Sequence, residues 1–236
     1  MRILPADDIS ARAWWRCRSW GLFAAAMEYP DEELIALIRD GAVMGQARQL
    51  MAVLHPQLDA LIDWPALAEA AQGDALAIEH TRLFDAIGPA GTACPLNSGI
   101  LLGDDGRMKL LEELVRFYNY FGLTAAGAPA NELPDHIGAQ LDFLHFLCAQ
   151  EAQCLEAGEP ADDYRRAQRD FLQRHPGRWT GPLATRLRAH QAQRYYAVLL
   201  ELLERFVALE QLALAQSSGL PVPAATLRDN PRSHRI

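Results

Sequence analysis

Apolar residues recur every three or four positions along most of the chain, and no stretch alternates apolar and polar long enough to make a strand. The pattern predicts an all-α protein. A first helix is expected from about Ser10 to Glu28, with Ser10 as its cap and Pro30 just beyond its end. Asp31 is positioned to cap a second helix through Arg39, stopped near Gly41. Shorter helices are expected over 43–54, 65–72 and 74–84. Over 106–121, Leu110, Leu114 and Tyr118 share one broad face, Glu112 and Arg116 can pair outside it, and Gly122 is a natural terminator. The next helix starts near Pro134 or Asp135 and runs to about Glu156, with Ile137, Leu141, Leu144 and Cys148 in register. A helix over 160–174 follows. A last, long one is expected over 182–216, where Leu187, Tyr195, Leu199, Leu202, Phe206 and Leu209 keep the helical step.

Two connections interrupt this pattern. Residues 85–105 are too long for an ordinary turn, and Ile100, Leu101 and Leu102 within them predict a loop laid on the core, beside which a groove can form. Residues 122–134 are rich in Gly, Ala and Pro. Residues 217–236 hold three prolines and few core formers, so they are expected to be a flexible C-terminal tail on a single globular helical domain spanning 1–216.

Half of the 236 residues are hydrophobic, enough for a substantial core. A chain of this size buries roughly 70% of the surface its unfolded form exposes. The net charge of −8 argues against binding to nucleic acid. It suits a basic peptide partner, whose approach an opposite field accelerates. The N-terminus has no signal-peptide pattern, and the longest uncharged apolar run, Trp20 to Met27, is too short to cross a bilayer, so no membrane insertion is expected. Four cysteines without CxxC spacing fit a reducing cytoplasm.

Catalytic patterns are missing. A carboxylate-bridged metal pair in a helix bundle needs two Glu-x-x-His copies; the chain has a single Asp142-x-x-His145, with Cys148 three residues on. GxSxG, Walker and GxGxxG motifs are absent, and Gly88-Pro89-Ala90-Gly91 lacks the lysine a phosphate loop requires. No cofactor, metal site or catalytic residue is therefore expected, and a small helical metal-dependent or nucleotide-binding enzyme is the competing reading. Asp135 and His136 admit two readings, a helix start or a binding pair at the edge of a loop.

Several blocks, taken in order, resemble the TorD/DmsD/NarJ family of redox-enzyme maturation chaperones. They are Glu79-His80-Thr81-Arg82-Leu83-Phe84, then Gly88-Pro89 and Cys94-Pro95, then Leu133-Pro134-Asp135-His136-Ile137 with Gln140 and Glu151, then Phe171-Leu172 with His175-Pro176 and Trp179. His80 stands where many members carry Tyr or Trp, and the acid and prolines common after Cys94-Pro95 are absent. The resemblance covers about residues 12–210. It implies an all-helical, non-catalytic cytoplasmic chaperone that binds the twin-arginine leader or N-terminal region of a molybdopterin oxidoreductase catalytic subunit until cofactor insertion, as a monomer or a domain-swapped dimer. Carried over by position, the peptide-binding candidates are Leu83, Phe84, Pro89, Pro134, Asp135 and His136. Asp135 would accept from a client arginine. Leu83 and Phe84 would be groove wall or plain core.

Overall fold

The computed structural model describes residues 9–69, 74–89, 91–103, 106–123 and 133–217. The expected tail beyond Ser217 and most of the 122–134 connection lie outside them. The fold is all-α, as the periodicity predicts. Helix α1 (Ile9–Ala26) and helix α7 (Ile137–Ala157) run through the middle, each buried on several sides. A helix buried all round shows no strongly apolar face, which is why neither has the one-sided pattern of a surface helix. They approach closely because Gly21 sits at the crossing. A Cβ on Gly21 would come within 3.0 Å of His145 Nδ1.

Around this pair lie α2 (Glu32–Arg39), α3 (Ala42–Leu54), α6 (Arg107–Tyr120), α8 (Asp162–Arg174), α9 (Pro176–Ala189) and α10 (Arg194–Ser217). Asp31 caps α2 as expected, accepting from Leu34 N at 2.8 Å. Ser10 lies inside α1 rather than before it. The core is contiguous: Trp20, Phe23 and Phe206 meet with ring centroids 4.7–6.4 Å apart, and Phe143, Phe171 and Phe117 form a second aromatic group.

Three expectations need correction. The long last helix is two, because α9 closes at His190 and α10 opens at Arg194. Gln191 turns the chain with φ 52°, and Ala192 N donates to Leu187 O, the bond that ends a helix when the next residue goes left-handed. That conformation normally advertises itself as Gly or Asn; Gln pays a steric cost of roughly 1 kcal/mol and leaves no signal. Pro182 does not start the helix but lies inside α9 on its exposed side, while Pro176 occupies the first turn. The segment expected at 65–72 is a 3₁₀ turn, Trp64–Ala68, with Pro65 in its first positions. The 74–84 helix changes character: α4 (Ala75–His80) passes into a π turn over Thr81–Asp85, closed by Ala86 N to Thr81 O at 2.7 Å.

His175, at the α8–α9 junction, is 2% exposed and packs against Phe171 and Phe117. Burial pushes its imidazole down to about 4; Glu113 opposes this, and Arg178 and Arg174 add to it. A base whose folded pKa is depressed binds fewer protons folded than unfolded, so stability is complete above the unfolded value near 6.5 and falls as pH drops from there towards 4. We expect a loss on the order of 2–3 kcal/mol across that window, with His175→Phe flattening the profile. Denaturant melts at several pH values check it; an equally steep profile in the variant would assign the effect elsewhere.

Candidate functional site

The segments carrying the family-like blocks are far apart in sequence and meet in the fold. After the π turn, a two-residue hairpin of β1 (Ile87–Gly88) and β2 (Gly91–Thr92) sends the chain back, and Cys94 N donates to Leu83 O at 2.8 Å. The run from Cys94 to Asn97 then lies against the start of α7. Ile137 N donates to Leu96 O, Ser98 N donates to Asp135 O, both at 2.8 Å, and Asn97 pairs with His136 in an antiparallel bridge. The strand-like Cys94–Asn97 run thus joins the Leu83 side to the Pro134–His136 side.

Within this arrangement Leu83 and Phe84 are buried in the core. Pro89 is exposed on the hairpin, and Pro134 and His136 are half-buried. Pro134 O accepts from Tyr118 Oη at 3.0 Å. Asp135 is fully buried, and its carboxylate is occupied from within the chain. Asn97 Nδ2 donates at 3.0 Å, Gly99 N at 3.2 Å, and Arg107 Nε at 3.3 Å. A client arginine would reach Asp135 only by displacing Arg107. Gly99 lies in the first turn of α5 (Ser98–Leu101), so Asp135 does satisfy an orphan helix N–H, but of α5 and not of its own helix. His136 caps α7, its Nδ1 accepting from Gly138 N, which puts the neutral ring's proton on Nε2. Gly99 has to be glycine: a Cβ there would meet Arg107 Cγ at 2.7 Å and Asp135 Oδ2 at 3.0 Å. Beneath lies Gln140, whose Nε2 donates to Ser98 Oγ and Asp135 O while its Oε1 accepts from Trp179 Nε1.

His80 connects this cluster to the surface. Its ring lies edge-on to Phe84 at 4.8 Å and to Tyr29 at 5.3 Å. Burial pulls its pKa below the ordinary value; Asp85 works against this, and the neighbouring His136 works with it. Above Tyr29 opens a groove of about 650 Å³ between the α1–α2 turn and α4. Tyr29, Ile35 and Ile78 line it, with Asp31, Glu32 and Asp74 at its rim. From sequence, Asp31 reads as a helix cap and the segment 18–30, ending in Tyr29-Pro30, as family-like, but the groove that these residues form with Ile35, Asp74 and Ile78 was not foreseen. One signal for them existed: Ile78 is apolar yet lies off the face of α4 that Leu76 and His80 bury, and it is 66% exposed.

The residues considered for a metal are engaged elsewhere. His145 Nδ1 lies 2.8 Å from Cys17 O, and Cys148 Sγ donates to Gln168 Oε1. Among the described residues no group of three or more His, Cys, Asp or Glu is arranged to hold a metal ion. No helix of the described residues is long and apolar enough to cross a membrane.

The family model described as nitrate reductase delta subunit matches residues 44–185, a span that holds all of these joined segments. A perchlorate reductase assembly chaperone protein of Dechloromonas aromatica (strain RCB) is 33% identical over 195 residues, 81% of this chain and 86% of that protein. A selenate reductase assembly chaperone protein of Thauera selenatis is 37% identical over 129 residues, covering 55% and 63%. A chlorate reductase assembly chaperone protein of Ideonella dechloratans is 35% identical over 146 residues, covering 61% and 72%.

Asp135→Asn tests what the buried carboxylate does. An asparagine would set an amide N–H₂ against donors and leave Arg107 without its counter-charge. We expect a loss of about 2–3 kcal/mol in chemical denaturation. A helix-start residue would tolerate this change almost silently, since Asn caps as well as Asp; an unchanged midpoint would mean that the network contributes little.

Proposed function

This chain belongs to the nitrate reductase delta subunit family, and from that membership we propose that it is an assembly chaperone for the catalytic subunit of a molybdopterin oxidoreductase. It holds that subunit in the cytoplasm by its N-terminal region or twin-arginine leader until the cofactor is inserted. The observation that carries this reading is the 33% identity, over 81% of the chain, to a protein named as a reductase assembly chaperone. The relatives are named for assembly and not for a reaction, and no catalytic step is assigned to this chain.

The chemistry of the surface supports a peptide partner of that kind. A leader joins a basic segment to an apolar one. An acidic chain with a net charge of −8 attracts the first, and exposed apolar side chains accommodate the second. The six candidate residues divide into two roles. Pro89, Pro134 and His136 have exposed surface and contact the client. Leu83, Phe84 and Asp135, which are buried, hold those contacts in position.

The test uses the full tagged chain in cells that also make a molybdopterin reductase catalytic subunit as the candidate client. When molybdate is withheld, the catalytic subunit is expected to co-purify; when the cofactor is supplied, or when the leader is deleted, co-purification is expected to drop. A catalytic subunit that never co-purifies, or that stays bound after cofactor insertion as a permanent subunit would, overturns the proposal.

A further inference from the structure

Two large apolar side chains stand in water on facing sides of one groove. Tyr29, in the turn after α1, is 56% exposed and Ile78, on α4, is 66% exposed. Both would lose surface to an apolar occupant, and together with Ile35 they make a lining more apolar than polar. The ring of Tyr29 packs edge-on to His80 at 5.3 Å, and His80 in turn packs edge to face on Phe84 and Tyr196 at 4.8 and 6.1 Å. That wall is therefore rigid, and binding against it orders little that is not already ordered. Among the described residues the rim carries one sign of charge: Asp31, Glu32 and Asp74 are exposed, and no described Lys or Arg lines the groove. Asp31 Oδ1 accepts from Leu34 N, so that carboxylate is fixed in place. The nearest arginine on α4's continuation, Arg82, is held by Glu79 with both N–H···O bonds at 2.7–2.8 Å.

We infer that this groove, and not the buried Asp135, receives the charged end of the client: a peptide's arginines lie along Asp31, Glu32 and Asp74 while its following apolar side chains pack between Tyr29 and Ile78. The inference rests on the chaperone reading above and adds the contact surface. Charge complementarity selects the occupant. A neutral apolar segment would partly desolvate three carboxylates without supplying a counter-charge, and an acidic peptide would be repelled. The volume of about 650 Å³ accommodates several side chains, enough for a short recognition segment and too little for a folded domain.

The probe is a synthetic peptide with two arginines followed by about ten apolar residues, the composition of a leader. Its affinity for the full chain is measured by fluorescence anisotropy at several salt concentrations. Ile78→Glu should weaken binding about tenfold or more, because it puts a charge where apolar surface is buried. Ile78 is exposed, so the variant's unfolding midpoint should stay near that of the parent; Ile78→Ser provides a second, uncharged version. The double variant Asp31→Asn, Asp74→Asn keeps the α2 cap and should bind about three- to fivefold less tightly, with a shallower salt dependence. The inference is overturned by no binding of the peptide by the parent chain, by unchanged affinity in both Ile78 variants, or by a self-association of the parent that Ile78→Glu abolishes, which would assign the groove to a second copy. Co-purification of the catalytic subunit, read in the same strains, separates the two levels. If the Ile78 variants retain it in full, the groove is wrong and the chaperone reading stands. If the parent binds the peptide yet never retains the catalytic subunit, the groove stands and the chaperone reading falls.

Discussion

Arg16 carries its charge on the central helix, where only 4% of the side chain is exposed. Moving such a cation out of water costs several kcal/mol unless the interior returns the lost hydration as bonds. Here the interior does so from several directions at once. Glu151 of α7 accepts from Nη2, Gln168 of α8 accepts at 3.1 Å, and Glu210 of α10 lies 3.6 Å from Nε. Burial alone would lower the Arg16 pKa, but Cys148, Glu210 and Glu151 more than reverse that, so the guanidinium stays charged. The two carboxylates are themselves shared. His55 Nε2 lies 2.8 Å from Glu210 Oε1, and Arg165 Nε lies 3.1 Å from Glu151 Oε1. Gln168 Nε2 donates to Glu151 Oε2. These groups are spread over five elements, so α1, α7, α8, α10 and the end of α3 have one relative placement that leaves no buried charge alone. Apolar packing would tolerate a slide of a helix by a fraction of a turn; this network does not.

How much of this was readable beforehand depended on the range of the interaction involved. Local periodicity was enough for α2, α3, α6 and α7, whose bounds fall within a few residues of expectation, and for the Asp31 cap. Where the determinant was a tertiary choice, reading failed. Gln191 adopts a left-handed turn that no composition rule announces. Asp135 was legible as an acceptor for helix N–H groups, but not as an acceptor for those of a helix more than thirty residues upstream. Glu151, Gln140, His175 and Trp179 were visible only as members of family-like blocks. The fold explains them as interior polar and aromatic joints: the Arg16 network, the Ser98–Gln140–Trp179 chain, and the Phe117–Phe171 pocket. The acidic groove was illegible because it exists only once residues 29–35 and 74–81 lie side by side.

Residue types that usually signal chemistry are engaged inside this protein. Asp135, His145 and Cys148 each bond to a group of their own chain, and burial pushes the thiols of Cys17 and Cys94 up to about 11, well away from a reactive thiolate. A buried polar network whose charges are paired across several elements stiffens what surrounds it. The Asp135 cluster pins the 94–98 run to α7, and the Arg16 cluster pins α1 to α7 and α10. Between them they hold the turn after α1 and the segment after α4 at fixed separation. Stiffness of this kind suits recognition by a preformed surface, where ordering costs would otherwise subtract from affinity.

His80 ties the two halves of this picture together. It lies under Tyr29 at the groove, touches Phe84 in the core, and feels His136 on the far side. A protonated imidazole there would place a cation beneath an anionic rim and cancel part of its attraction for a basic peptide. Burial, acting first, and the nearby His136 both lower its pKa, against the pull of Asp85. At neutral pH the ring therefore packs as an uncharged aromatic, close in shape and role to the larger aromatic residues that many members of the family carry at this position. The field of Asp31, Glu32 and Asp74 then faces outward unopposed by this ring, so the same desolvation that makes His80 a core residue keeps the groove above it anionic.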